Sequence, residues 1–216
     1  MRIISIGKHT WVHYFVEHRD ALRSYGIELK KLLGCGEYGC AFEIAGNRVL
    51  KVTQSKDEAG TWDVIAEEQR RKPTIMRGIA TTYARPFGIA LPPRVRKKLL
   101  YGIVRECLAN VRDTYRTYNG IVPIDGPSLR GDPAPLKELD DMVMFVPETK
   151  LMAKSIEHLY LETGGIYFLS DLHTQNVGTR KGEKWFVLRD PGWAWTPTAG
   201  MEFDHWQPSH VIPMFE

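Results

Sequence analysis

Three glycines, at positions 34, 36 and 39, most constrain what this chain can fold into. Strand-like runs lie before them at 27–33 and after them at 41–44, and a third run ends near Lys51. Short strand-like runs separated by glycine-containing turns predict β-hairpins. The order of strand, glycine loop and strand differs from the strand-to-helix order that a dinucleotide-binding motif requires. We therefore predict an antiparallel sheet in the first half of the chain.

The same loop has the composition of a phosphate-binding element. Gly34, Gly36 and Gly39 allow backbone amides to approach phosphate oxygens without an intervening side chain. Tyr38 lies at the tip of this loop. Lys51 follows on an apolar strand, where its ammonium group is expected to contact nucleotide phosphates.

The second half of the chain contains the polar residues of a phosphoryl-transfer site. Asp171 and Asn176 are five residues apart, the step at which one loop presents an aspartate to an attacking hydroxyl and an asparagine to magnesium. Asp190 follows a predicted strand at 185–188 and is expected to be the second magnesium ligand. His173 has two interpretations, since it could touch the γ-phosphate or brace the loop.

Together these motifs resemble the protein-kinase-like superfamily, and in particular the small early serine/threonine kinases of short-tailed bacteriophages. The resemblance covers residues 27–192. It implies an α+β, minimal two-lobed protein-kinase-like fold that binds ATP and Mg²⁺. The expected parts are an N-terminal helical extension at 1–26, an antiparallel-sheet N-lobe at 27–108 and a truncated, mainly helical C-lobe at 109–216.

The resemblance also implies roles for residues outside the motifs. An acid of the helix after Lys51 should pair with that lysine, and both Glu67 and Glu58 are candidates. Glu106 and Leu108 match the hinge that holds adenine. Arg105 would then guard the back of the adenine pocket, where a charged residue departs from the family pattern.

Two further departures bear on the substrate. Ser170 replaces the arginine that reads a phosphorylated activation loop, and the 24 residues after Gly192 are too few for the peptide-binding segment of a full protein kinase. The expected activity is phosphorylation of Ser or Thr in a protein, a host protein if the phage resemblance holds. The alternatives are a small-molecule phosphotransferase of the antibiotic-kinase type and a pseudokinase that binds a host partner.

Apolar periodicity and breaker residues predict the remaining elements. Helices are expected at 10–25, with a stripe packed on the sheet or forming a dimer, and at 57–71, 136–145 and 149–162. Prolines and glycines at 121–135 indicate a loop. A short strand at 166–169 should lead into the catalytic loop.

Charge and composition indicate where the protein is located and what it could bind. The 216 residues carry a net charge of +3, but 69–105 contains ten Lys or Arg and no acid. This basic segment is either a solvated face or a docking surface for an acidic partner or nucleic acid. The chain lacks a membrane-length apolar run and an apolar leader, so we expect a cytoplasmic protein without membrane contact. Three cysteines are typical of a reducing compartment and too few for a zinc site.

Overall fold

The computed structural model describes residues 11–93, 99–112, 114–121, 134–162, 172–191 and 205–214. Within these ranges the chain is a mixed α+β protein, which confirms the predicted class. The strands are Leu29–Cys35 (β1), Gly39–Ile44 (β2), Arg48–Thr53 (β3), Phe87–Ala90 (β4), Leu99–Glu106 (β5), Ala109–Asn110 (β6), Val177–Thr179 (β7), Phe186–Leu188 (β8) and Val211–Pro213 (β9). The helices are Trp11–Glu17 (α1), Asp20–Arg23 (α2), Lys56–Arg71 (α3), Tyr115–Gly120 (α4), Ala134–Phe145 (α5) and Lys150–Glu162 (α6).

The chain divides into two compact units. The first contains residues 1–63, 82–107 and 206–216, and the second contains residues 64–81 and 108–205. The division therefore falls within α3. The three segments expected from the sequence, 1–26, 27–108 and 109–216, stay a prediction.

The first unit is built on a six-stranded sheet with the order β1-β2-β3-β5-β4-β9. Every neighbouring pair is antiparallel except β4 and β9, which are parallel. The two hairpins around the glycine loop confirm the predicted antiparallel arrangement. Strand β9 was not predicted, because its three residues, the last of which is a proline, carry no alternating pattern of their own.

The N-terminal helical region packs on this sheet. The predicted single helix at 10–25 is in fact two helices, α1 and α2, separated by a turn at His18 and Arg19. Trp11, Phe15 and Leu22 are buried in the same cluster as the sheet residues. The prediction that this stripe packs on the sheet is therefore confirmed.

Gly26 ends the helical region as predicted. It adopts a φ of 73°, in the left-handed region that side chains avoid. The Ile27 N–H donates to the Leu22 carbonyl at 3.0 Å, and the Gly26 N–H donates to the Arg23 carbonyl at 2.9 Å. This pair of bonds is a Schellman motif, which satisfies the last carbonyls of α2 and turns the chain toward β1.

The second unit combines helices α5 and α6 with a three-stranded antiparallel sheet, β6-β7-β8. Buried Ser155 of α6 donates to the Ile75 carbonyl at 2.7 Å and accepts from the Gly78 N–H at 2.9 Å. The predicted helices at 57–71, 136–145 and 149–162 are confirmed to within two residues. The predicted strand at 166–169 and most of the predicted loop at 121–135 lie outside the described residues.

The cysteines differ from the expectation for a reducing compartment. Cys35 and Cys40 form a disulfide across the β1–β2 hairpin, where they are paired in register, whereas Cys107 is a thiol. A sequence separation of five does not reveal this pairing until the hairpin register is known. In the ranges that the structure describes, none of the helices is both long enough and apolar enough to cross a membrane.

Candidate functional site

Gly34, the first glycine of the loop, and Lys51 lie on the same face of the six-stranded sheet. Gly34 is opposite Ala41 in the β1–β2 pair, and Ala41 is opposite Lys51 in the β2–β3 pair. Residues directly opposite each other in antiparallel strands project to the same side of a sheet. The Lys51 side chain therefore projects from the face to which Gly34 belongs, two strands away. The other face carries the cluster with Phe42 and Leu50 that α1 and α2 cover.

Lys51 forms an ion pair with Glu58 of α3. The side chains are 16% and 4% exposed, so the pair is almost completely removed from water. A lysine and a carboxylate are each costly to bury alone, and each stabilises the charged form of the other. The pair fixes the Lys51 ammonium group over the sheet.

The start of α3 explains why Glu58 faces Lys51. Ser55 caps the helix, since its hydroxyl accepts the Glu58 N–H at 3.1 Å. In a capping box the glutamate three residues after the cap would accept the backbone N–H of the capping serine. Here the backbone N–H of Ser55 donates to the Thr53 hydroxyl instead, at 3.0 Å. The Glu58 carboxylate is directed to Lys51 instead.

Glu67, the other predicted partner of Lys51, has a different environment. It lies nine residues after Glu58, which is two and a half turns of a helix, so the two carboxylates point to opposite sides of α3. The Glu67 side chain is 41% exposed and pairs with Arg70 at 2.6 Å. Of the two candidates, Glu58 is the acid that the structure pairs with Lys51.

Two further acids of α3 are buried and were not recognised in the sequence. Asp63 pairs with Arg85, 2.7 Å from its Nε, and accepts from the Trp206 indole at 3.0 Å. Glu68, in the second unit, contacts His158 at 2.9 Å. Glu58, Asp63 and Glu68 are spaced five residues apart. One face of an α-helix repeats every three or four residues, so these acids do not form a single stripe that the sequence could reveal.

Packing requires glycine at only one of the three glycine positions of the loop. A Cβ on Gly39 would clash with the backbone of Val52 and lie 2.8 Å from Thr53 Cα, so packing against β3 requires glycine there. A Cβ on Gly34 or Gly36 would meet no atom within 4 Å, and neither glycine has a positive φ. Packing within the described residues therefore does not demand glycine at these two positions.

The loop tip is held from β3. The Gly36 N–H donates to the Gly39 carbonyl at 2.9 Å, and the Gln54 N–H donates to the Tyr38 carbonyl at 2.8 Å. The Tyr38 side chain is 42% exposed. The backbone of the tip is thus fixed while its aromatic side chain extends into solvent.

The predicted hinge runs from the end of β5 into β6. Glu106 is opposite Arg48 of β3, and Leu108 is buried at the start of the second unit. Arg105 is 4% exposed, with its guanidinium 5.8 Å from the centre of the Trp62 ring. Stacking on an indole is a recognised environment for a desolvated arginine. This contact is one that the structure shows for a charged residue at an otherwise apolar strand position.

Asn176 and Asp190, the two predicted metal ligands, are neighbours in the second unit. They flank the β7–β8 hairpin, in which Val177 is opposite Leu188. The Asn176 carbonyl accepts the Arg189 N–H at 2.7 Å and the Asp190 N–H at 3.2 Å. Residues fourteen apart in sequence are thereby brought to one end of the hairpin, with both side chains partly exposed.

The loop before Asn176 is braced by His173. Its Nδ1 accepts the Gln175 N–H at 3.2 Å, and its carbonyl accepts the Asn176 N–H at 2.9 Å. Because Nδ1 is an acceptor, the proton of the neutral ring lies on Nε2. These two bonds are of the kind that bracing requires, and both predicted roles of His173 stay predictions. Asp171 lies outside the described residues, as do Ser170 and Gly192.

Arg189, which was not predicted, links the metal-ligand hairpin to the residues after the hinge. Its Nη2 donates to the carbonyls of Leu108 at 3.1 Å and Ala109 at 3.0 Å, and its Nη1 donates to Asn110 Oδ1 at 2.9 Å. A planar guanidinium can make all three bonds together. The sequence signal is weak, because an arginine before Asp190 is indistinguishable from a surface residue.

Burial raises the pKa of Tyr101, and the nearby Asp57 carboxylate raises it further. Asp57 directly precedes Glu58, and Tyr101 is opposite Thr53 of β3. The Tyr101 hydroxyl therefore stays protonated at neutral pH.

Several cations of the basic segment are neutralised locally. Arg70 and Arg71 pair with Glu67 and Glu68, Arg77 with Glu183 and Arg85 with Asp63. The Glu68 and Asp63 carboxylates are buried and the Glu67 carboxylate is exposed, and each of the four pairs reduces the local positive field. The densest cationic run, at 94–98, lies outside the described residues.

Comparisons with known proteins give no family for this chain. No model of a known protein family matches the sequence, and no curated protein is similar to it.

Proposed function

We propose that this chain is an ATP- and magnesium-dependent phosphotransferase with a minimal two-lobed, protein-kinase-like fold. Its proposed reaction is transfer of the γ-phosphoryl group to a Ser or Thr hydroxyl of a protein. The observation that carries the proposal is the buried Lys51–Glu58 pair on the sheet face to which Gly34 belongs. A cation held by an internal acid beside a glycine loop is suited to bind phosphates at a fixed position.

The glycine loop fits a phosphate group. Gly34 and Gly36 have open space where a side chain would project, and packing does not require glycine at either position. Close approach of a phosphate to the backbone would require both. Gly39 and the Tyr38 carbonyl hold the loop against β3.

The Asn176–Asp190 pair fits magnesium. An amide oxygen and a carboxylate oxygen are hard ligands of the type that Mg²⁺ prefers, and the ion usually keeps several waters in addition. Such an ion would neutralise charge on the phosphates during transfer. Within the described residues no cluster of three or more His, Cys, Asp or Glu could hold a metal.

The remaining roles follow from the sequence motifs. Asp171 accepts the proton of the attacking hydroxyl, and His173 keeps the loop that carries Asn176 in place. Glu106 and Leu108 belong to the segment proposed to hold adenine. Lys51 binds phosphates, and Glu58 positions Lys51.

Protein serine or threonine is the proposed acceptor because the motifs resemble those of the phage kinases. That resemblance makes host proteins the first substrates to test. A small-molecule phosphotransferase and a non-catalytic nucleotide-binding protein are the competing outcomes.

Incubation with γ-labelled ATP and Mg²⁺ distinguishes these outcomes. The purified protein is tested separately with bacterial lysate and with a protein-free metabolite extract, and Asp171→Asn is the matched control. We expect label in Ser or Thr of protein bands, lost in the control. Label in the metabolite fraction alone indicates the small-molecule enzyme, and ATP binding without any transfer indicates the non-catalytic protein.

A further inference from the structure

The Cys35–Cys40 disulfide lies at the base of the glycine loop. Cys35 is the last residue of β1 and Cys40 is the second residue of β2, so the bond closes the four residues from Gly36 to Gly39. Cys40 is buried in the cluster behind the sheet, and Cys35 packs against that cluster while remaining partly exposed. Lys51 is opposite Ala41 and projects from the other face. The disulfide therefore constrains the loop from its base and does not occupy the sheet face proposed to bind phosphates.

The β1–β2 pairing is irregular just before the disulfide. Its register shifts between Leu29 and Lys31 and again between Leu32 and Gly34. β1 is also the edge strand of the sheet, and among the described strands β2 is its neighbour. Register is weakly specified in glycine-containing edge strands. The covalent bond joins the two strands at Cys35 and Cys40, directly after the second of these shifts.

We propose that Cys35 and Cys40 are a reversible redox pair that sets the mobility of the glycine loop and, through it, the affinity for Mg-ATP. The second part rests on the proposed function. In the disulfide state the loop is held as described, which favours binding because less ordering is required. In the dithiol state the tip keeps its anchor at Tyr38, but the end of β1 no longer has a covalent bond to β2 and follows a ladder whose register shifts just before it.

The exchange balances with a small-molecule disulfide such as oxidised glutathione. The Cys35 thiolate attacks the glutathione disulfide, which forms a mixed disulfide and releases one glutathione thiolate. The Cys40 thiolate then attacks Cys35 Sγ, which forms the protein disulfide and releases the second glutathione. Two electrons pass from the protein to the oxidant, and the two thiol protons end on the two glutathiones. Cys35 is assigned as the attacking residue because it is partly exposed whereas Cys40 is buried, and reduction by a thiol follows the reverse path.

The experiment uses the full chain equilibrated with reduced or oxidised glutathione. Alkylation followed by mass spectrometry counts thiols, and we expect three in the reduced protein and one, at Cys107, in the oxidised protein. Hydrogen exchange should show faster exchange of the Gly36 amide in the reduced protein, because that amide donates within the loop. The Kd for Mg-ATP should rise roughly threefold to tenfold on reduction, as expected when one or two further residues must be ordered on binding.

Two variants separate this pair from the third cysteine. Cys107→Ser should keep the redox-dependent differences, whereas Cys35→Ser should abolish them and exchange like the reduced parent in both buffers. Three alkylated thiols in the oxidised buffer would overturn the redox pair. Equal loop exchange in both states would overturn the control of the loop.

The failure of the proposed function has a different signature. If Mg-ATP binds in neither state while thiol number and loop exchange still change, the nucleotide site is wrong and the redox-controlled loop stands. If Mg-ATP binds with equal affinity in both states, the nucleotide site stands and the coupling to affinity is overturned.

Discussion

At the scale of single residues, the environment of Lys51 is the strongest basis for a function. A lysine that is 16% exposed has lost most of its hydration, and the nearly buried Glu58 carboxylate compensates that loss. The sequence predicted Lys51 and left Glu58 and Glu67 as alternatives. Spacing alone could not decide between them, because the choice depends on where α3 begins. The Ser55 cap and the Thr53 hydroxyl determine that start and the direction of Glu58.

Glu58→Gln should therefore be far more damaging than Glu67→Gln. Removing one charge of a buried pair leaves the other uncompensated, at a cost of about 3 kcal/mol in unfolding free energy. The exposed Glu67–Arg70 pair should cost less than about 1 kcal/mol. Urea unfolding measures both values. Equal losses would mean that the buried pair has no special role.

Asp171 allows a test of chemistry separate from binding. Asp171→Asn should fold and bind Mg-ATP like the parent, since the change is isosteric. Turnover should fall by about 10²-fold or more, the effect of removing a general base. Calorimetry for affinity and labelled-phosphate transfer for turnover separate the two effects. Unchanged turnover would exclude Asp171 as the base.

At the scale of secondary structure, local patterns predicted most elements, and long-range pairing was missed. The glycine-flanked hairpins, the Gly26 stop and the helices of the second unit all have signals within a few residues. Strand β9 and the Cys35–Cys40 pairing depend on contacts that distant segments or a particular register create. The break between α1 and α2 was also missed, because the apolar stripe continues across it.

The β7–β8 hairpin brings Asn176 and Asp190 together, and Arg189 ties its end to β6. Arg189→Ala removes three hydrogen bonds from a charged donor and should lower the unfolding free energy by at least about 1.5–3 kcal/mol, the contribution of one such bond.

Arg189→Lys is the matched control because it keeps the charge. A single ammonium group cannot reproduce the planar fork, so this variant should recover only part of the stability. Urea unfolding measures both variants. Full recovery by lysine would show that charge alone matters and that the three-bond geometry does not.

At the scale of the whole molecule, the distribution of charge bears on which partners the protein could bind. Four arginines of the basic segment are paired with acids. The docking prediction for an acidic partner or nucleic acid now depends on the run at 94–98 and on exposed Lys72. It stays a prediction, as does the cytoplasmic location.

The proposed enzyme should be active as synthesised, without phosphorylation of its own chain. An activating phosphate works by pairing with a cation, and Ser170 stands where the family has the arginine for that pair. Phosphatase-treated protein, verified by intact mass, should therefore transfer label without a lag. A lag that prior autophosphorylation removes would reveal a switch.

Magnesium-dependent ATP binding tests the central claim most directly. Titration calorimetry should detect ATP binding to the parent in Mg²⁺ and much weaker binding in excess chelator. Asp190→Ala should lose most of the magnesium-dependent affinity, because a metal ligand is removed. Asp140→Ala, which changes an exposed carboxylate of α5, should bind like the parent. Parent protein that binds no ATP in Mg²⁺, or an Asp190→Ala variant with unchanged affinity, would contradict the proposed site.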